Sequence, residues 1–232
     1  MEVKAPVRRV ILPPAAPARA SLADAAYAAL KASILEGLLP PGQETAEQVI
    51  ADQLAMSRTP VHEALVRLQH EGMVTVLPRR GVRVLPIDPE DLRQTYEVLI
   101  ALEGAAAALL ARRAAPGATA LATMTEATEA MAAALGQGDR AAWAAADDRF
   151  HRALVAGSGN PKLARLAENA ADQAQRARSV TAARRPEPTA SGIEHAAILA
   201  AIGAGDAEAA RAAAAAHRAR ASAEILAALQ RA

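Results

Sequence analysis

Asp147 and His151 stand four residues apart in a stretch that reads as helix, so both project from one face. A carboxylate and an imidazole at that spacing are suited to share a divalent cation, and equally to form an exposed ion pair. Two further histidines bear on the choice. His195 and His217 lie about 9 and 13 residues either side of the turn that joins the last two helices. At 1.5 Å rise per residue, an antiparallel pair sets them at depths of roughly 14 and 19 Å, close enough to converge. Three imidazoles and one carboxylate suit zinc, nickel or another divalent transition ion, with open coordination positions for an organic ligand. His195 has an alternative partner in Glu194 on a wet face, and His217 an alternative role as a cation near a helix end. A cation that activates water would make the protein a metal-dependent hydrolase, and a site that only reports metal would make it a pure metal sensor. Asp148 and Glu194 lie near the cluster in sequence, but no motif gives either a catalytic role.

A second group could do chemistry of another kind. From Ser57 to Leu85 the bases Arg58, Arg67, Arg79, Arg80 and Arg83 face only Glu63 and Glu71, so this stretch is locally positive although the net charge is just +1. By charge alone it is a solvated basic face; by order it is more. Around it, Leu22, Ala26, Leu30 and Ile34 give a first helix an apolar stripe that stops before Gly37. Ala46, Val49, Ile50 and Leu54 mark a second helix. Met56 to Pro60 interrupts, and Val61, Leu65 and Leu68 carry a third helix that Gly72 ends. Met73 to Leu77 and Val82 to Leu85 are β-rich runs about the basic turn Pro78-Arg79-Arg80-Gly81, a hairpin. Helix, tight turn, helix and wing is an arrangement that reads DNA.

Asp88-Pro89-Glu90-Asp91 combines an N-cap, a first-turn proline and two acids, a strong helix start and the domain boundary. Beyond it the pattern predicts six helices, broken at Pro116-Gly117, Gly136 to Asp139, Gly157 to Pro161, Arg184 to Pro188 and Gly203 to Asp206, with Asp139, Asn160 and Asp206 as N-caps. The fold class is mainly α. Residues 1–20, with Lys4, Arg8, Arg9 and Arg19 among prolines and alanines, read as a disordered basic arm. Residues 21–86 read as a winged helix-turn-helix, and residues 87–232 as an all-α helical bundle for ligand or metal binding and dimerisation.

Composition limits the rest. With 232 residues, two domains can each bury a core; with 2% aromatics, those cores are built of Leu, Val, Ile and Ala. Trp143 and Phe150 read as core rather than as ligand-stacking groups. The chain has no cysteine, which excludes disulfides, thiolate metal ligands and a thiol nucleophile and fits a cytoplasmic protein. No apolar run of roughly 18 residues and no signal peptide are read, so no membrane partner is expected.

Pro41-Gly42, Ser57-Arg58-Thr59-Pro60-Val61-His62-Glu63-Ala64-Leu65, Leu68, Glu71-Gly72-Met73 and Gly81 together resemble the GntR family of transcriptional regulators. The resemblance implies a DNA-facing set of Gln48, Ser57, Arg58, Thr59, His62, Arg67, Arg79, Arg80 and Gly81. Tyr96-Glu97-Val98, Leu102-Glu103, Asp147 to His151, Ser158-Gly159-Asn160, Glu194-His195, Gly205-Asp206 and His217 resemble the family's FadR-type (FCD) effector domain, with the six helices of its VanR-type subgroup. That likeness places Asp147, His151, His195 and His217 at metal-ligand positions. It implies a homodimeric repressor, not an enzyme, that binds double-stranded operator DNA and a small-molecule effector such as an organic acid. Three departures stand out. His62 replaces a base-reading Arg, Gln48 replaces another Arg, and Leu99 replaces the Arg that clamps an acidic effector. Arg149, Arg152, Arg176 and Arg178 are the candidate substitutes for that clamp.

Overall fold

A computed structural model describes residues 21–113 and 118–231; the arm at 1–20 and the Pro116-Gly117 break lie outside the described residues. The chain divides into two compact units, one ending at Ile87 and one starting at Asp88.

The first unit runs α1 (Leu22–Leu35), β1 (Glu44–Thr45), α2 (Glu47–Leu54), α3 (Arg58–His70), β2 (Val74–Leu77) and β3 (Gly81–Val84). Ser21 and Asp24 form a reciprocal capping box that starts α1. Ala26, Leu30 and Ile34 are buried as the periodicity requires, but Leu22, in the first turn, is 62% exposed, so the buried stripe begins at Ala25 and Ala26. The core gathers Leu30 and Ile34 from α1, Ile50 and Leu54 from α2, Val61, Leu65 and Leu68 from α3, and Val74, Val82 and Val84 from the wing. The hairpin pairs antiparallel with Val74 opposite Val84, and β1 adds a third strand at its edge in the order β1-β3-β2. That edge explains Gly81: its φ is +107°, and a Cβ there would sit 2.2 Å from the Thr45 carbonyl oxygen.

The second unit contains α4 (Pro89–Ala111), α5 (Ala118–Gly136), α6 (Arg140–Gly157), α7 (Pro161–Thr181), a 3-10 turn (Ala182–Arg184), α8 (Thr189–Gly203) and α9 (Ala207–Gln230). The side chains of Asp88, Asp139, Asn160 and Asp206 each accept two backbone N–H bonds at the start of α4, α6, α7 and α9, satisfying donors that a helix leaves open. Contrary to expectation, α4 is long and apolar enough to cross a membrane by length and composition. Here it is the helix on which α6, α7, α8 and α9 all pack. Small residues make this close packing possible. Gly104 of α4 lies against the Arg211 backbone and Ala215 of α9, and a Cβ on Gly157 would come within 2.6 Å of Ala120. Trp143 and Phe150 join Leu110, Met124, Met131, Leu154, Ile198 and Ile202 in the main core.

Candidate metal centre and DNA-reading face

α6 contributes Asp147 and His151 from successive turns, α8 contributes His195, and α9 contributes His217. All four side chains are buried, and one ligand atom from each lies within 4.8 Å of every other. His217 Nε2 is 3.2 Å from both His151 Nε2 and His195 Nε2, and Asp147 Oδ1 is 3.7 Å from the Nε2 atoms of His151 and His195. Four ligands about 2.0 Å from a tetrahedral ion stand about 3.3 Å apart, close to these four spacings, while every pair in the cluster stays within 4.8 Å.

The groups behind the rings decide which protons they carry. His151 Nδ1 is 2.9 Å from the Glu103 carboxylate and His217 Nδ1 is 2.7 Å from that of Glu194. Carboxylates accept, so each Nδ1 donates, and in the neutral rings each Nε2 is left with a lone pair. With both rings neutral, two such lone pairs face one another across 3.2 Å in a dry interior, an arrangement that a shared metal cation relieves and that a proton on His151 Nε2 also relieves. His195 Nδ1 is buried without a partner, and its ring stacks on Phe150 at 4.1 Å between centroids.

Charge is balanced tightly here. Arg218 donates to both oxygens of Glu103, at 2.8 and 2.5 Å, with both side chains nearly inaccessible. Burial opposes the charge on Glu103, yet Arg218 and His151 hold its carboxyl well below the usual carboxylate range. Asp147 is likewise penalised by burial and held down by His151, Arg178 and His195. Burial and the neighbouring His151 push His195 down to about 3, and His217 further still. For His151, burial and Arg218 disfavour the proton, but Glu103 and Asp147 outweigh them and raise its pKa.

Beside the cluster, a cavity of about 180 Å³ is lined by Glu103, His151, Arg152, Arg218 and an alanine wall from α7. The candidate effector residues are dispersed about the unit. Arg178 donates to Asp147 at 3.1 Å and reaches Asp148 at 3.8 Å. Arg152 edges the cavity and pairs with Asp148 and Asp172. Arg149, two residues from Asp147, is exposed on another face of α6, whereas Arg176 is buried and feels Asp91. Leu99 is fully buried. The Tyr96 hydroxyl, in the electrostatic field of Arg178, Arg185 and Asp147, is buried without a hydrogen-bond partner.

On the other unit, α3 buries Pro60, Val61, Ala64, Leu65 and Leu68 and leaves Ser57, Arg58, Thr59 and His62 exposed at its N-terminal end. Gln48 is exposed on α2 and donates to Asp52. Arg79 and Arg80 are exposed in the wing turn beside Gly81, with Arg80 3.6 Å from Glu44. Arg67 is placed differently: it pairs with Asp24 at 2.7 Å and lies over the Tyr27 ring, bound to α1. A resident partner therefore holds that guanidinium.

The family model for bacterial regulatory proteins of the gntR family matches residues 22–84, and the FCD domain model matches residues 94–220. This chain belongs to the GntR family. Its FCD domain spans more than half its length. An uncharacterized HTH-type transcriptional regulator of Agrobacterium vitis is 52% identical over 134 residues, covering 57% of this chain and 78% of that protein. A probable D-xylose utilization operon transcriptional repressor of Paenarthrobacter nicotinovorans is 36% identical over 132 residues, 57% of each chain. The chain thus spans little over half of that second relative. The solved E. coli McbR/YncC structure superposes with a TM-score of 0.79 at 25% identity, over 89% of this chain and 98% of that one. Families and relatives are regulators of transcription, not enzymes, which removes the hydrolase alternative.

Sequence reasoning missed the carboxylates behind the rings. Glu194 pairs with His217 rather than its neighbour His195, and Glu103 meets His151 from another helix. His217 lies in mid-helix, not near an end. The signal that could have found these partners is the helical period: Glu103 shares a face of α4 with Tyr96 and Leu99, both buried.

Proposed function

We propose that the protein is a cytoplasmic, homodimeric repressor whose two winged heads bind half-sites of a two-fold operator. A small-molecule effector, bound at a metal in the FCD domain, lowers operator affinity. The observation that carries this reading is the convergence of three Nε2 atoms and one carboxylate in a buried site, in a chain that also exposes a recognition helix. Asp147, His151, His195 and His217 would hold zinc or nickel, which supplies a Lewis-acidic anchor for an oxygen of the effector. With Leu99 apolar, Arg152 at the edge of the cavity, Arg178 beside Asp147 and the Tyr96 hydroxyl are the donors available to an acidic group. The effector acts by binding one head spacing better than the other, and that difference sets the size of the response.

The test uses chelator-stripped protein reloaded with zinc or nickel, its metal content, and its affinity for a selected operator with and without citrate as a carboxylate probe. The reading expects one ion per chain, its loss in both Asp147→Asn and His217→Ala, and weaker operator binding with metal and citrate together. A change with metal alone favours a pure metal sensor. Retention of no ion, or an operator affinity indifferent to both additions, contradicts the proposal.

A further inference from the structure

The GntR resemblance puts an arginine where this chain has His62, and the structure shows what the histidine is bonded to. His62 Nδ1 is 3.0 Å from Glu47 Oε1, and Arg58 Nη2 is 3.7 Å from the other oxygen of the same carboxylate. Glu47 sits in the first turn of α2, where the helix dipole favours negative charge, and its side chain is only 13% exposed against 54% for His62. One shielded carboxylate therefore holds both exposed side chains at the start of the recognition helix.

That contact has a chemical consequence. A carboxylate only accepts, so Nδ1 carries a proton, and in the neutral ring Nε2 is then a pure acceptor. In the major groove the donors on base edges are the exocyclic amines, adenine N6 and cytosine N4; guanine and thymine present acceptors there. We infer that Glu47 is a specificity-determining residue, which fixes His62 as an acceptor so that the head reads adenine or cytosine where an arginine would read guanine. The inference rests on α3 facing the operator. It deepens that reading by naming the base chemistry and the residue that sets it.

Selection of bound sequences from random duplex DNA, run in parallel on the full-length protein, His62→Arg and Glu47→Ala, tests it. Read in each half-site on the strand where His62→Arg selects guanine, the expected result for the wild type is adenine or cytosine at that same position. Glu47→Ala should reduce the wild-type preference at those positions by roughly threefold to tenfold, the range of one net hydrogen bond, with the rest of the site unchanged. Base preference is the readout because Glu47→Ala also releases Arg58. Guanine or thymine at those positions in the wild type, the mark of an imidazolium donor, overturns the inference. So does an unchanged preference in Glu47→Ala. If the wild type recovers no sequence, the operator reading fails and the inference with it.

Discussion

Glu47 and Glu44 in the winged head each hold two cationic or donor side chains, and those partners, Arg58, His62, Arg80 and Arg83, keep between 44% and 71% of their side-chain surface in water. Glu103 in the FCD domain also holds two, Arg218 and His151, yet none of the three exceeds 4% exposure. The same motif of one carboxylate between two bases has opposite consequences in the two units. An exposed pair contributes about 0 to 1 kcal/mol, so its cations can be exchanged for phosphate or a base edge at little cost. A buried pair cannot be opened without leaving an uncompensated charge in a dry interior, so it holds its geometry. The head is poised to trade partners, and the FCD domain is built to keep a site in register.

The largest test of that contrast is to remove the carboxylate from each unit. Glu103→Ala should destabilise the FCD domain by about 3–5 kcal/mol, while Glu44→Ala, which removes a solvent-exposed carboxylate, should cost the head far less. Urea unfolding followed by circular dichroism measures both, and similar losses would erase the distinction.

Acid should separate the units next. The depressed values of His195 and His217 mean that metal-free folded protein keeps them neutral while the unfolded chain binds protons below about 6.5. Their contribution is present above that value and is lost as pH falls toward 3. His151, with a raised value, works the other way: its contribution is complete below about 6.5 and fades as pH rises through its folded pKa. Below about 6.5 His151 is charged in both states, so only His195 and His217 take up protons on unfolding, and the FCD domain loses about 1.4 kcal/mol per pH unit for each of them. Thermal melts from pH 7 to 5 should show the FCD transition dropping further than that of the head; a head transition that drops as far or further contradicts this.

Arg58→Ala and Arg67→Ala sharpen the comparison within the head. The first should weaken operator binding by about 1–3 kcal/mol. The second, because Arg67 is held by Asp24 and Tyr27, should change operator affinity less than about twofold while lowering head stability by about 1 kcal/mol. The smallest effect outside the sites belongs to the cap: Asp88→Ala should cost about 1 kcal/mol, read as a shift in the urea midpoint.

What could be read in the sequence follows from the range of the interactions. Caps, turns and the exposed edge of α3 depend on residues within four of one another, and Asp139, Asn160 and Asp206 act as the local pattern requires. β1 escaped because two residues carry no periodicity; its pairing comes from Val82 and Arg83, some forty residues away. The Asp147-His151 pair is legible from its spacing, but its convergence with His195 and His217 depends on how α8 and α9 pack. Alanine on every side of α9 hides the buried stripe of Ala210, Ala214, His217 and Ile225. Adjacency misled at Glu194, since neighbours on a helix point about 100° apart and cannot face one another, which sends that carboxylate to His217 on the next helix.

The most direct test of the regulator reading is competition of the selected operator against unrelated duplex DNA at fixed salt, with Arg58→Ala alongside. The account predicts at least ~10³-fold preference for the operator and its marked loss in the variant. Binding that depends on salt but not on sequence, equal for wild type and variant, would contradict it.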